Sequence, residues 1–150
     1  MQVGIDVGAT KIESVVLEKD GQEKHRSRIP CPKNYTQIIA SIKDIHKQLE
    51  LEFKQELSIG VCHPGIHSPQ TGLVKNVPNI TWLDKKPFQN DLRKALGKEV
   101  FCENDATLKE IAEVQPTNKA EFLEINGVGQ RKHDVYGKRF IELLKEFGQA

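Results

Sequence analysis

A change of hydrophobic period at Asn34 constrains the fold of this chain more than any other feature. Before it, Val3 to Asp6, Ser14 to Leu17 and about Glu23 to Ile29 read as three consecutive strands, with Asp20-Gly21 as the hairpin turn between the second and third. After it, Ile38, Ile42, Ile45, Leu49 and Phe53 recur at helical spacing, which predicts one long amphipathic helix ending near Phe53. Leu57 to Cys62 reads as a buried strand closed by His63-Pro64-Gly65, and Phe88 to Leu96 as a short helix stopped by Gly97. Glu99 to Cys102 reads as a further strand and Asp105 to Val114 as a helix. After Gly65, the stretch up to Pro87 has Pro and Gly punctuation and little periodicity, the mark of a loop that carries something. Three strands, helix, strand, helix, strand, helix is an α/β order: an antiparallel meander, then strands added in parallel through crossover helices.

Beyond Pro116 the pattern turns wholly helical. Thr117 or Asn118 caps a short helix through Ile125, Asn126-Gly127-Val128-Gly129 makes a tight turn, and a longer helix runs to about Phe147 with Tyr136, Phe140, Leu144 and Phe147 as its apolar stripe. At 150 residues the chain has room for one main domain and a small appendage. The 22 Lys and Arg nearly balance 21 Asp and Glu, so no global field attracts nucleic acid or a membrane surface. A hydrophobic fraction of 37% and a mean hydropathy of −0.51 fit a water-soluble protein, and no apolar run approaches a membrane span. The sequence starts directly in a strand pattern with no signal segment, which places the protein in the cytoplasm. Cys31, Cys62 and Cys102 have no paired spacing, so neither a disulfide framework nor a thiolate metal site is expected.

Three motifs carry chemistry. Asp6-Val7-Gly8-Ala9-Thr10-Lys11 lies between two strands, where Gly8 lets backbone amides approach a phosphate, Thr10 can donate a hydroxyl and Asp6 can orient a hydrated magnesium ion. Gly60-Val61-Cys62-His63-Pro64-Gly65 leads into Ser68-Pro69-Gln70-Thr71-Gly72 and then Asn76, Asn79, Trp82 and Leu83. The third is Glu103-Asn104-Asp105-Ala106, at a strand-to-helix junction. A carboxylate there can accept a hydroxyl proton as the oxygen attacks phosphorus, and Asp105 can equally cap the helix. His63 and His67, flanked by Pro64 and Pro69, read as loop residues rather than metal ligands.

In this order and setting, the three motifs resemble the N-terminal lobe of the ROK family of sugar kinases, and most of all its fructokinase, mannokinase and N-acetylglucosamine kinase branch, over residues 1–105. The resemblance implies a ribonuclease-H-like, actin-like ATPase lobe. It implies that Asp6, Gly8, Thr10 and Lys11 face ATP and magnesium, that Gly65, Asn79 and Asn104 line a hexose, and that Asp105 is the catalytic base. Such a kinase should continue with a second Gly-rich phosphate loop, a zinc-binding His and Cys cluster and a C-terminal lobe, and those motifs are missing after Asp105.

Instead, residues 104–147 resemble the C-terminal part of an HRDC domain, the helical module of RecQ-type helicases, so that the two likenesses overlap on Asn104-Asp105-Ala106. The expectation is a chimera, natural or engineered, of a kinase lobe (1–105) and an HRDC-like segment (106–150), without complete catalytic activity. Gly127 and Gly129 before a helix, with Arg131 and Lys132 nearby, could hold a phosphate. Seven Lys or Arg balance seven Asp or Glu from Thr107 to Ala150, however, so nucleic-acid binding is expected to be weak at best. Two rivals to an inactive recombinant remain: a kinase restored by oligomerisation, for instance as a homodimer, or by a separate lobe, and a weak DNA-binding module.

Overall fold

The computed structural model of the chain describes residues 1–68, 70–77 and 80–147, with the side chains of residues 131, 135, 136, 143, 146 and 147 outside that description. It divides into two compact units, Met1–Asn104 and Asp105–Ala150.

The first unit is built on a five-stranded sheet. Strands β1 (Gln2–Val7), β2 (Lys11–Leu17) and β3 (Glu23–Pro30) form the antiparallel meander that the three strand-like runs predict. β4 (Ser58–His63) joins β1 in parallel and β7 (Val100–Asn104) joins β4 in parallel, giving the order β3-β2-β1-β4-β7. Helix α1 (Tyr35–Phe53) connects β3 to β4, and α2 (Phe88–Leu96) leads into β7. Side chains alternate across the sheet, so Val3, Ile5 and Val7 of β1, Ile12 and Val16 of β2, Ile59 and Val61 of β4 and Val100 of β7 share a core with Ile38, Ile42 and Leu49 of α1 and Phe88 and Leu92 of α2. Helix ends follow local chemistry: the Asn34 side chain accepts the Gln37 amide at the start of α1, and Gly97 takes the left-handed conformation (φ 67°) that ends α2.

Several predicted boundaries move: β1 gains a residue at each end and β2 starts at Lys11, three residues before the predicted Ser14. β4 and β7 each start one residue later than their periodicity predicts and reach one or two residues further, because His63 and Asn104 pair in register at their ends. Within the stretch from 64 to 87, the described residues form a short hairpin of β5 (Ile66–His67) and β6 (Val74–Lys75) and a 3-10 turn over Thr81–Leu83, and four apolar side chains three residues apart, Val74, Val77, Ile80 and Leu83, are buried.

The second unit has its own core. In α3 (Asp105–Val114) and α4 (Lys119–Glu124), Ile111 and Phe122 are buried together with Ile125, Val128 and Ile141, and Leu108, Phe140 and Leu144 pack against them. Asn118 caps α4 by accepting the Glu121 amide at 3.1 Å, while the Glu121 carboxylate takes the Thr117 amide and hydroxyl. The final helical run is α5 (Gln130–Lys132), a π turn over His133–Gly137 and α6 (Lys138–Phe147). A uniform 3.6 period does not anticipate the π turn. It sets Gly137 so close to buried Phe122 that a Cβ there would lie 2.8 Å from the ring. Leu123 and Phe140 are half-buried in this unit, and the predicted stripe positions Tyr136 and Phe147 have side chains outside the description.

Among the described residues, no helix is long and apolar enough to cross a membrane. Polar tethers also matter to the first unit. Glu50 of α1 accepts the Leu57 amide at 3.0 Å and the Lys98 ammonium at 2.6 Å, and buried His46 donates to the Leu57 carbonyl at 3.0 Å. Burial pushes the Glu50 carboxyl up, but Lys98, the Leu57 amide and His46 outweigh it and hold it below the usual range. A depressed folded pKa gives stability that is complete above the unfolded value, about 4.3, and is lost as pH falls below it. Glu50→Gln should therefore cost about 1–2 kcal/mol at pH 7. Urea unfolding at pH 7 and pH 3 should show that difference shrinking at the lower pH.

Candidate functional site

Parallel strands place their carboxyl ends on one edge of a sheet, and ligands of open α/β sheets bind there. In the first unit that edge collects the residues after β1, β4 and β7. Asp6, Cys62 and Glu103 lie side by side in the register of the three strands, and His63 pairs with Asn104 one residue further on. With about 4.8 Å between neighbouring strands, the β1 and β7 ends are about 10 Å apart.

The β4 and β7 ends are joined directly. The Asn104 side-chain amide donates to the Gly65 carbonyl at 2.5 Å, and its backbone amide donates to the Glu103 carboxylate at 2.8 Å. Gly65 holds its carbonyl in place through a left-handed backbone (φ 92°), and a Cβ there would sit 2.7 Å from Val77 Cγ2 and 2.8 Å from the Lys75 carbonyl. The turn is thus wedged against the β5–β6 hairpin. His63 and His67 are not loop residues. His63 ends β4 fully buried, edge-on to Phe88 at 5.3 Å, and His67 belongs to β5. Their Nε2 atoms are 2.8 Å apart. The sequence gives no sign of this pairing, because it depends on the hairpin. Further along the loop, Asn76, Val77, Thr81 and Asp84 line an open cavity of about 570 Å3. Asn79, Pro69 and Pro78 lie outside the described residues.

The turn after β1 is closed by its own backbone. The Gly8 amide donates to the Lys11 carbonyl at 2.9 Å, so Gly8 closes the turn with its own N–H instead of offering it to a phosphate. Asp6 and Thr10 are exposed. The Lys11 ammonium meets Glu13 at 3.1 Å. Arg28, Arg26 and Lys11 together hold the Glu13 carboxyl down at about 2, and that carboxylate draws the Lys11 charge sideways along the sheet. Asp105, which follows Asn104 in the chain, is the exposed first residue of α3, and its Oδ1 accepts the Ala106 amide at 2.9 Å. Burial pushes the Cys102 thiol up to about 12, which favours the neutral thiol. Among the described residues, no group of three or more His, Cys, Asp or Glu is placed to hold a metal ion.

In the second unit, Gly127 takes a left-handed backbone (φ 79°) under Thr107, whose hydroxyl donates to the Asn126 carbonyl at 3.2 Å. Gly127 and Gly129 are exposed and Lys132 is half-buried. The Arg131 side chain is outside the description.

The ROK family model matches residues 2–125. The chain belongs to the ROK family. That match does not stop at Asn104 but continues through α3 and α4, across the overlap of the two sequence likenesses. The chain is 33% identical over 129 residues to an N-acetyl-D-glucosamine kinase of Haemophilus influenzae, covering 85% of the chain and 42% of that protein. It is likewise 33% identical over 130 residues to an N-acetyl-D-glucosamine kinase of Pasteurella multocida. Among solved structures, it superposes on the ROK hexokinase of Thermus thermophilus with a TM-score of 0.64 at 29% identity, covering 75% of the chain and 37% of the hexokinase. The polyphosphate/ATP-glucomannokinase of Arthrobacter sp. strain KM gives 0.64 at 26% identity over 86% of the chain and 50% of that enzyme. The chain thus spans less than half the length of the curated relatives it matches.

For this ROK chain, the wedged turn makes a sharp expectation. Gly65→Ala should cost about 1–3 kcal/mol, through left-handed strain and contact with the Lys75 backbone, and lower the melting temperature by about 4–8 °C per kcal/mol. Gly60→Ala, where a Cβ meets nothing within 4 Å, should leave the melting temperature nearly unchanged in the same scanning calorimetry.

Proposed function

We propose that these residues form the sugar-side lobe of a cytoplasmic ROK-type kinase whose sugar is a hexose of the N-acetylglucosamine kind. The bond from the Asn104 amide to the Gly65 carbonyl carries this reading, since it fixes two polar groups at the carboxyl edge of the sheet, immediately before Asp105. In this reading Gly65, Asn79 and Asn104 hold the sugar hydroxyls. Asp105 takes the proton of the attacking hydroxyl, a step typically worth about 100-fold to 10,000-fold. The exposed oxygens of Asp6 and Thr10 fit the preference of magnesium for hard oxygen donors. Asp6 would hold the ion through a bound water, and Thr10 and the turn amides would face the phosphates. Lys11 reaches a phosphate only by leaving Glu13. Magnesium ATP, when bound, supplies the phosphoryl group.

Phosphoryl transfer depends on positioning and on charge stabilisation around the transferred group. The 150 residues cover the sugar side and the first phosphate turn, so by themselves they should bind sugar weakly and transfer little phosphate. The test is a coupled assay of the purified chain with ATP, magnesium and N-acetylglucosamine, mannose, fructose or glucose. Turnover far below about 1 per second, the lower end of ordinary enzymes, and lowered further by Asp105→Ala is the expected result. Turnover at or above that rate, abolished by Asp105→Ala, would show that the chain is a complete catalyst, alone or as an oligomer.

A second reading applies to residues 104–147, whose HRDC likeness suggests a weak DNA-binding module. The family match to residue 125 and the balanced charge of the segment weigh against a junction at Asn104 and against useful affinity.

A further inference from the structure

His63 and His67 bracket the turn that carries Gly65, and their ring atoms define how that turn is held. His63 Nδ1 lies 2.9 Å from the Pro64 carbonyl. A carbonyl only accepts, so the His63 proton is on Nδ1, and in a neutral ring Nε2 is then an acceptor. The atom facing it at 2.8 Å is His67 Nε2, which must therefore be the donor. One carbonyl thus sets the tautomers of both rings. Reversing the pair would require a cationic His63, and His63 is fully buried against Phe88, where an added charge is costly.

The consequence is mechanical. The pair ties the end of β4 to β5, which is itself paired with β6 through His67 and Val74. Only Pro64, Gly65 and Ile66 lie between the two rings, and the Gly65 carbonyl is the acceptor for the Asn104 amide. We infer that His63 and His67 are positioning residues for the sugar-binding turn: their shared hydrogen bond fixes the Gly65 carbonyl, which in turn orients the Asn104 side chain. The last link, from Asn104 to sugar affinity, rests on the function proposed above, whereas the link from the imidazole pair to Asn104 does not.

Imidazole-selective and amide NMR of the 15N-labelled 150-residue chain separates the two. The wild type should show His63 protonated on Nδ1 and His67 on Nε2. His67→Ala should raise water exchange of the Asn104 side-chain amide about tenfold and weaken N-acetylglucosamine binding about five- to tenfold, the range expected for losing one buried hydrogen bond. His67→Gln, whose amide can donate to the same nitrogen, should restore both. A His63 proton on Nε2 would overturn the inference, as would Asn104 exchange that is the same in His67→Ala and wild type, or a glutamine variant no better than alanine. The tautomers are read in the wild type, so they decide even where His67→Ala fails to fold. If wild type binds no sugar but the tautomers and amide exchange behave as stated, the positioning role stands and the sugar-kinase reading fails.

Discussion

The hydrogen bond from the Asn104 amide to the Gly65 carbonyl joins the ends of two neighbouring parallel strands at the point where each leaves the sheet. Backbone pairing between β4 and β7 brings these residues into reach, but it does not fix the direction of the polar groups beyond the last pair. Gly65 adds that direction, because its left-handed backbone fits only without a Cβ. His63 and His67 add a second restraint across the same turn, and Val74, Val77, Ile80 and Leu83 anchor the loop that follows to the core. A turn held from several sides loses little further freedom on binding, and such preorganisation gives a polar site affinity for a small hydrophilic ligand.

The turn after β1 contrasts with it. Its glycine amide is spent on closing the turn and its lysine is paired with Glu13. Glu13 in turn belongs to a cross-strand network with Arg26 and Arg28 on β3, an edge strand of the sheet. That network blunts the edge with charge and leaves Lys11 drawn along the sheet. A phosphate arriving at the turn would have to compete with Glu13 for Lys11. In the function proposed above, the sugar side of the site is thus more nearly formed than the nucleotide side.

Elements with a clear local signal were readable in the sequence: the meander through its strand-like runs and the Asp20-Gly21 turn, α1 through its helical stripe, and α2 through Gly97. Their cause is local, so local pattern suffices. The β5–β6 hairpin, the burial of His63 and the π turn at His133–Gly137 were not readable, because each is set by groups distant in sequence: Lys75 and Val77 against Gly65, Phe88 against His63, and Phe122 against Gly137. The threefold spacing of Val74, Val77, Ile80 and Leu83 is a signal that could have revealed the anchored loop. Family likeness singled out Asn104 and Gly65 as site residues, but their mutual hydrogen bond became visible only with the strand register.

The central claim is that this unit carries a preformed sugar-binding turn without a full phosphoryl-transfer machine. Amide chemical-shift titration of the 150-residue chain with N-acetylglucosamine tests it most directly. The account predicts saturable shifts centred on residues 63–67 and 103–105, with a dissociation constant of about 1–10 mM, near 4 kcal/mol or less of binding energy, and their loss in Asn104→Ala. Shifts that never saturate, or that persist unchanged in Asn104→Ala, would contradict it.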